Sequence, residues 1–132
     1  MNKQKYTKTH SKIIIIGNTQ VGKTSIVNTL RGIDPEKILT TLGAEYLMLE
    51  YKDVIFDIWD TPGQERMRSF VKAYFNNIHY CLIVCDISNK KSILDIQKIW
   101  YYYFIKNILK KEKPNVFLLG NKIDLHKKNK YI

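Results

Sequence analysis

The sequence has 132 residues, enough for one compact domain with a hydrophobic core and too few for two. Hydrophobic residues make up 45% of it, which excludes a mainly disordered chain, and the lack of a long apolar run predicts no transmembrane helix. The net charge of +10 is compatible with an anionic partner, but only three of the 22 basic residues are arginine, so no specific nucleic-acid partner is expected.

The amino-terminal stretch is polar and basic, and we expect residues 1–11 to form a flexible arm before a domain over 12–132. This stretch contains no apolar segment of the kind found in secretory signals, and Asn2 excludes N-myristoylation. Cys81 and Cys85 lie in an apolar run, which indicates buried thiols in a reducing compartment. The predicted location is therefore intracellular and cytoplasmic.

The hydrophobic pattern predicts strands and helices that alternate along the chain. The predicted strands are 12–16, 44–51, 54–59, 79–86 and 116–120. The predicted helices are 22–30, 66–77 and 92–111. This order predicts an α/β fold with a layered, mostly parallel sheet, one antiparallel edge strand and helices on both faces.

Residues 17–24, GNTQVGKT, match the phosphate-binding pattern GxxxxGK[ST] between a predicted strand and a predicted helix, and are called the P-loop below. The glycines allow the backbone to wrap a phosphate, and successive N–H groups at a helix N-terminus attract anions. We expect Lys23 to reach the β- and γ-phosphates and the Thr24 hydroxyl to bind Mg²⁺. The predicted nucleotide-binding residues here are Asn18, Thr19, Gln20, Val21, Gly22, Lys23, Thr24 and Ser25.

Residues 59–65, WDTPGQE, follow the strand predicted over 54–59. Ligands bind at the carboxyl ends of parallel strands, so Asp60 is predicted to hold Mg²⁺ through a water molecule. Gly63 can donate its backbone N–H to a γ-phosphate, and Gln64 can orient an attacking water as the catalytic residue.

Asn121, Lys122 and Asp124 belong to the segment NKID after the last predicted strand. The Asp124 carboxylate can accept from the N1–H and the exocyclic amine of guanine, a donor pair that adenine lacks. The Lys122 stem can lie along the base. Solvated loops also contain NKxD, but its place behind the other two segments favours a guanine nucleotide as ligand.

In this order the three segments resemble the Ras superfamily of small GTPases, from about Lys12 to Leu125. The resemblance implies a P-loop NTPase-type fold, the cofactors GTP or GDP and Mg²⁺, and a switch that hydrolyses GTP. It assigns Thr41 to the nucleotide and to Mg²⁺ in the GTP state. Effector, exchange-factor and activating proteins are then expected to bind through residues 32–42 and 60–74.

The branch within this superfamily stays open on sequence alone. The segments VGKTS, TLGAEY and WDTPGQERMRS resemble those of Rab proteins, and this resemblance implies vesicle trafficking at the cytosolic face of endomembranes. The short spacing between Thr41 and Asp60 resembles Arf and Arl proteins instead.

Three departures from the family pattern shape further expectations. Thr19 stands where a side chain would crowd the γ-phosphate, which predicts slow hydrolysis, and Pro62 replaces the usual alanine and predicts a stiffer loop. The family domain continues beyond NKxD, whereas this sequence stops at Ile132, so a C-terminally incomplete domain is expected. Membrane association is expected only if a further segment or a partner supplies it.

Two other functions remain open at this point. A degenerate GTPase-like module that binds partners and little nucleotide is compatible with the early end of the sequence. A P-loop ATPase or kinase would also contain residues 17–24, but NKID disfavours it.

Overall fold

The computed structural model describes residues 7–32, 44–64, 68–108 and 110–128. Its strands are β1 (Thr9–Gly17), β2 (Glu45–Tyr51), β3 (Val54–Asp60), β4 (Tyr80–Asp86) and β5 (Asn115–Asn121). They form one sheet in the order β2-β3-β1-β4-β5. The β2–β3 pair is antiparallel, and the other three pairs are parallel. The predicted α/β fold is confirmed, including the antiparallel edge strand.

Parallel pairing brings the carboxyl ends of four strands to one edge of the sheet. The register places Ile15 of β1 beside Asp60 of β3, and Asp86 of β4 beside Asn121 of β5. The P-loop and the two other motif segments therefore leave the sheet at the same edge, where α/β proteins bind ligands.

Helices cover both faces of this sheet. They are α1 (Lys23–Arg31), α2 (Arg68–Val71), α3 (Lys90–Asp95) and α4 (Tyr102–Asn107). On one face, Val27 of α1 joins a buried cluster with Ile15. On the other face, Phe104 of α4 joins a second cluster with Ile14. Within the described ranges, none of the helices is long and apolar enough to cross a membrane.

Glycines mark both ends of α1. Gly22 precedes the helix with φ of 102°, and Gly32 follows it with φ of 77°. The Gly32 N–H donates to the Thr29 carbonyl at 3.1 Å, which closes the last turn. Both φ values lie in the left-handed region that favours glycine. The helix predicted over 22–30 is confirmed to within one residue at each end.

The helical region after β4 differs from the single helix predicted over 92–111. It begins at Lys90 because the Asn89 side chain accepts from the backbone N–H groups of Lys91 and Ser92. A π-helical segment, Ile96–Tyr101, separates α3 from α4, which ends at Asn107. Hydrophobic spacing did not reveal this segment, because a single wider turn changes the helical period only locally.

Two other predicted boundaries are wrong. Strand β1 begins at Thr9, which pairs with Val54 of β3, so residues 9–11 belong to the sheet and not to the predicted arm. In the described part of the range, residues 68–77, the helix predicted over 66–77 consists of the short α2 and a 3-10 turn, Lys72–Tyr74. Residues 1–6 and 65–67 lie outside the described residues.

The two cysteines are buried in β4 as free thiols, as predicted. They are four residues apart in one strand, so both point to the same face. Burial raises the pKa of Cys81 and of Cys85, which keeps both side chains as neutral thiols of the core.

Candidate functional site

The P-loop turns sharply between β1 and α1. Gly17, Gln20 and Gly22 have φ values of 148°, 61° and 102°. A Cβ at Gly17 would lie 2.3 Å from the Val84 carbonyl oxygen, so the loop needs glycine there. A positive φ is uncommon for a residue such as Gln20, and such residues concentrate at functional sites. Positive-φ turns of this kind are a feature of backbone loops that bind anions.

The ammonium group of Lys23 lies within the P-loop. Its Nζ donates to the carbonyl oxygens of Gly17 at 2.8 Å and Asn18 at 2.6 Å. Burial lowers the pKa of Lys23 to about 8, and the nearby Asp60 carboxylate opposes this shift. A phosphate would offset the desolvation that burial imposes on this cation. The position supports the predicted contact of Lys23 with phosphates.

Thr24 and Asp60 bring two oxygen ligands together. The Thr24 hydroxyl donates to Asp60 Oδ2 at 2.6 Å, and Asp60 is fully buried at the end of β3. Mg²⁺ prefers oxygen ligands and is commonly held by one or two carboxylates together with substrate phosphates. The pair therefore fits a Mg²⁺ site in which a bound nucleotide would supply further oxygen ligands. The third predicted ligand, Thr41, lies outside the described residues.

The loop after β3 lies directly against the P-loop. A Cβ at Gly63 would lie 2.3 Å from the Thr19 nitrogen, so no other residue fits without movement. The buried Thr61 hydroxyl donates to the Ile15 carbonyl at 2.6 Å and fixes the start of this loop. Gly63 is therefore close enough to the P-loop for its predicted contact with a γ-phosphate, and Gln64 lines the same cavity as Thr19.

Asn121 and Lys122 contact the P-loop from the end of β5. The Asn121 side-chain amide donates to the Val21 carbonyl at 2.9 Å. Lys122 Nζ donates to the Gln20 carbonyl at 2.6 Å and lies 3.1 Å from Asp86 Oδ2. Two residues of the NKID segment thus support the P-loop backbone.

Asp124 occupies a different environment. It lies in the 3-10 turn Ile123–Lys128 and is exposed. An exposed carboxylate can accept hydrogen bonds from the N–H groups of a ligand. The structure therefore places Asn121 and Lys122 on the P-loop and leaves Asp124 at the surface two residues further on.

A cavity of about 390 Å³ opens beside the P-loop, between the loop after β3 and the helical region after β4. The predicted site residues that line it are Asn18, Thr19, Gln20, Val21, Gly63, Gln64 and Lys122. Ser25 lies apart from them in α1, where its carbonyl accepts from the Thr29 hydroxyl at 2.8 Å.

Sequence reasoning missed two residues that hold the P-loop from the helical region after β4. The indole Nε1–H of Trp100 donates to Asn18 Oδ1 at 2.6 Å, and Asn18 Nδ2 donates to Asp95 Oδ2 at 2.8 Å. The sequence pattern placed Trp100 in the apolar stripe of a helix. The sequence offered one clue to this contact, because the indole N–H of a buried tryptophan needs a hydrogen-bond acceptor.

Sequence reasoning also missed an aromatic row formed by Tyr46, Trp59 and Tyr74. The Trp59 ring centroid lies 5.0 Å from that of Tyr46 and 5.2 Å from that of Tyr74. Tyr46 and Trp59 are direct partners across the β2–β3 pair, and Tyr46 is 43% exposed. The row joins the antiparallel edge strand to the turn after α2, with Tyr46 exposed and Trp59 and Tyr74 packed against the core.

Comparison with known proteins gives the chain clear relatives. Residues 12–131 match the family model of the Ras family. The chain is 38% identical over 118 residues to the Ras-related protein Rab-7B of Dictyostelium discoideum, covering 86% of this chain and 58% of that protein. It is 35% identical over 135 residues to a probable Rab-related GTPase of Acanthamoeba polyphaga mimivirus, covering 96% of this chain and 60% of that protein. The chain spans less than two thirds of the length of these relatives.

Proposed function

The chain belongs to the Ras family and is Rab-like, and from that premise we propose that it is a GTP-binding switch that slowly hydrolyses GTP to GDP. One observation carries the proposal, namely that all three motif segments meet at the P-loop. Lys23 bonds to the P-loop carbonyls, Asp60 accepts from Thr24, and Asn121 donates to the P-loop from β5. This arrangement favours a nucleotide-binding switch over the nucleotide-poor module.

In the proposed complex, the P-loop N–H groups surround the phosphates, and the Lys23 ammonium neutralises part of their charge. Thr24 and Asp60 would hold Mg²⁺, which would supply positive charge to offset that of the phosphates. Asp124 accepts hydrogen bonds from guanine, while Asn121 and Lys122 hold the P-loop against the base-binding segment.

Hydrolysis in this proposal depends on the loop after β3. Gly63 offers its N–H to the γ-phosphate, and Gln64 orients the attacking water. The exposed Thr19 side chain lines the same cavity as Gln64, so it occupies space that water and a charge-stabilising group need. We therefore propose a slow intrinsic rate that an activating protein raises.

Single-turnover hydrolysis of GTP with Mg²⁺ tests the proposal. Gln64→Leu keeps the volume and removes the group that orients water, so the rate should fall by about tenfold to hundredfold with nucleotide affinity unchanged. Gln97→Leu is the matched control, because Gln97 is exposed on the π-helical segment away from the cavity. Equal rates for Gln64→Leu and wild type would remove Gln64 from this role.

Two results would contradict the proposal more broadly. Bound GTP that is never converted to GDP would exclude hydrolysis and leave a binding module. Failure of the wild-type protein to bind GTP or GDP in the presence of Mg²⁺ would contradict the switch itself.

The proposed partners are effector, exchange-factor and activating proteins that contact residues 32–42 and 60–74. The aromatic row supports this assignment, because Tyr46 and Trp59 lie on β2 and β3, the strands between the two proposed segments along the chain, and large, rigid rings provide contact area at low entropic cost. Named relatives of the Rab type extend the proposal to vesicle trafficking at the cytosolic face of endomembranes.

A further inference from the structure

Trp100 donates a hydrogen bond to Asn18 of the P-loop. The tryptophan is 2% exposed, and its Nε1–H donates to Asn18 Oδ1 at 2.6 Å. The other end of the same amide donates to Asp95 Oδ2 at 2.8 Å. An indole can only donate and a carboxylate only accepts, so these two partners fix the orientation of the Asn18 amide.

The Asp95 carboxylate is suited to this task. Burial alone would raise the pKa of Asp95, but hydrogen bonds from Lys91 and Asn18 outweigh that effect and lower it. Lys91 Nζ lies 2.6 Å from the same oxygen that accepts from Asn18. The side chain of Asn18 is therefore held between a buried indole and an ionised carboxylate.

The main chain of Asn18 connects this side chain to the phosphate site. Its carbonyl oxygen accepts from Lys23 Nζ at 2.6 Å, the shorter of the two contacts of that ammonium with the P-loop. A shift of Asn18 would therefore move the carbonyl that holds Lys23. The indole N–H of Trp100 thus acts on Lys23 through a single intermediate residue.

Trp100 also contacts α2, the helix that follows Gln64 along the chain. The Arg68 guanidinium of α2 lies 5.7 Å from the Trp100 ring centroid, within range of a cation–π interaction. Trp100 lies in the π-helical segment, and single turns of this kind are frequent at functional sites. One side chain thus contacts both the P-loop and α2.

We propose that Trp100 is a positioning residue for the nucleotide site, which holds Lys23 in place for phosphate through the side chain and carbonyl of Asn18. This inference rests on the proposed function, since it assumes that the P-loop binds a guanine nucleotide.

A double-substitution cycle on GDP affinity tests it. Trp100→Phe keeps an aromatic ring and removes the N–H, and the Kd for GDP should rise about fivefold. Asn18→Ala should raise it by a similar factor. In the Asn18→Ala protein, Trp100→Phe should change the Kd by less than about twofold, because the partner of the indole is already absent. Tyr102→Phe, an exposed aromatic of the same helical region, should leave the Kd unchanged.

The outcomes separate this inference from the proposed function. Binding by the wild type with additive effects of the two substitutions would make Trp100 a general packing residue and overturn the inference alone. No GDP binding by the wild type would overturn the proposed function and this inference together.

A spectroscopic measurement keeps the inference testable if Trp100→Phe does not fold. The sequence has two tryptophans, so a Trp59→Phe protein reports on Trp100 alone. GDP should shift its emission, and Asn18→Ala should abolish that shift while GDP still binds at higher concentration. An unchanged emission shift in the Asn18→Ala protein would overturn the inference.

Discussion

The two ends of the proposed nucleotide site are built differently. At the phosphate end, Lys23 is 6% exposed and Asp60 is fully buried, and each makes a hydrogen bond with the P-loop. At the base end, Asp124 is exposed in a short 3-10 turn after β5. In the proposed site, burial therefore pre-organises the phosphate end, whereas selection of the base would depend on one exposed carboxylate.

Asn121 and Lys122 explain how these ends are joined. Both stand next to Asp124 in sequence, yet their side chains donate to the P-loop carbonyls of Val21 and Gln20. In the proposed site their contribution would belong to the phosphate end. Neighbouring residues of one motif would then act on opposite ends of the ligand, and we expect substitutions to separate affinity from base selectivity.

The largest expected effect is at the phosphate end. Lys23→Met removes a buried cation that would make charge-assisted hydrogen bonds to two phosphates, so the Kd for GDP should rise about a thousandfold. Titration calorimetry measures this change. Lys98→Met, at an exposed lysine of the π-helical segment, is the matched control and should stay at the wild-type value. A loss below about tenfold would show that burial of Lys23 does not serve phosphate binding.

Removal of the carboxylate at the base end should have a smaller and more selective effect. Asp124→Ala should raise the Kd for GDP about thirtyfold, the cost of lost hydrogen bonds to a charged group. Inosine diphosphate lacks the exocyclic amine, so the preference for GDP over this analogue should disappear in the variant. Asp53→Ala, at an exposed aspartate of the β2–β3 turn, is the control. If the variant still preferred GDP over inosine diphosphate, a group other than Asp124 would recognise the exocyclic amine of guanine.

The fall in GDP affinity above pH 8 should come mainly from Lys23 at the phosphate end. Burial lowers the pKa of Lys23 to about 8, and bound phosphates would favour its charged form and raise that pKa. Affinity should therefore be flat below that pH and fall above it, approaching tenfold per pH unit. In titrations from pH 6.5 to 9, Lys23→Met should lack this fall. The same fall in both proteins would assign it to another group.

The smallest expected effect separates Asn121 from its neighbour Asp124. Asn121→Ala removes the hydrogen bond to the Val21 carbonyl, so the Kd should rise about fivefold for GDP and equally for inosine diphosphate. Asn115→Ala, at the other end of β5, provides the matched control. A changed preference between the two nucleotides would place Asn121 at the base end and break the comparison.

Much of the fold could be predicted because local residues mark the ends of its strands and helices. The β2–β3 hairpin is marked by two apolar runs around a short turn, and Gly22 and Gly32 mark the ends of α1. The start of β1 was missed because Thr9, His10 and Ser11 are polar, and their place in the sheet comes from pairing with β3. The π-helical segment was missed for a related reason, since its causes lie in contacts and not in spacing.

The candidate site was predictable wherever a motif is local and not where contacts are remote. The P-loop, Asp60 and the NKID segment are short patterns with a defined place after a strand. The Asn18–Trp100 hydrogen bond joins residues 82 positions apart, and Asn121 reaches Val21 across 100 positions. Such pairs depend on the order of strands in the sheet, which sequence spacing does not specify.

Thermal unfolding of the purified chain with Mg²⁺ and either GDP or ADP tests the central claim most directly. GDP at about 100 times its Kd should stabilise the protein by about 2.7 kcal/mol and raise the Tm by roughly 10 °C. ADP should give little shift in Tm, because adenine lacks the pair of N–H donors from which Asp124 would accept hydrogen bonds. EDTA should reduce the shift seen with GDP. Equal shifts with GDP and ADP, or no shift with either, would contradict a guanine-nucleotide switch built on this P-loop.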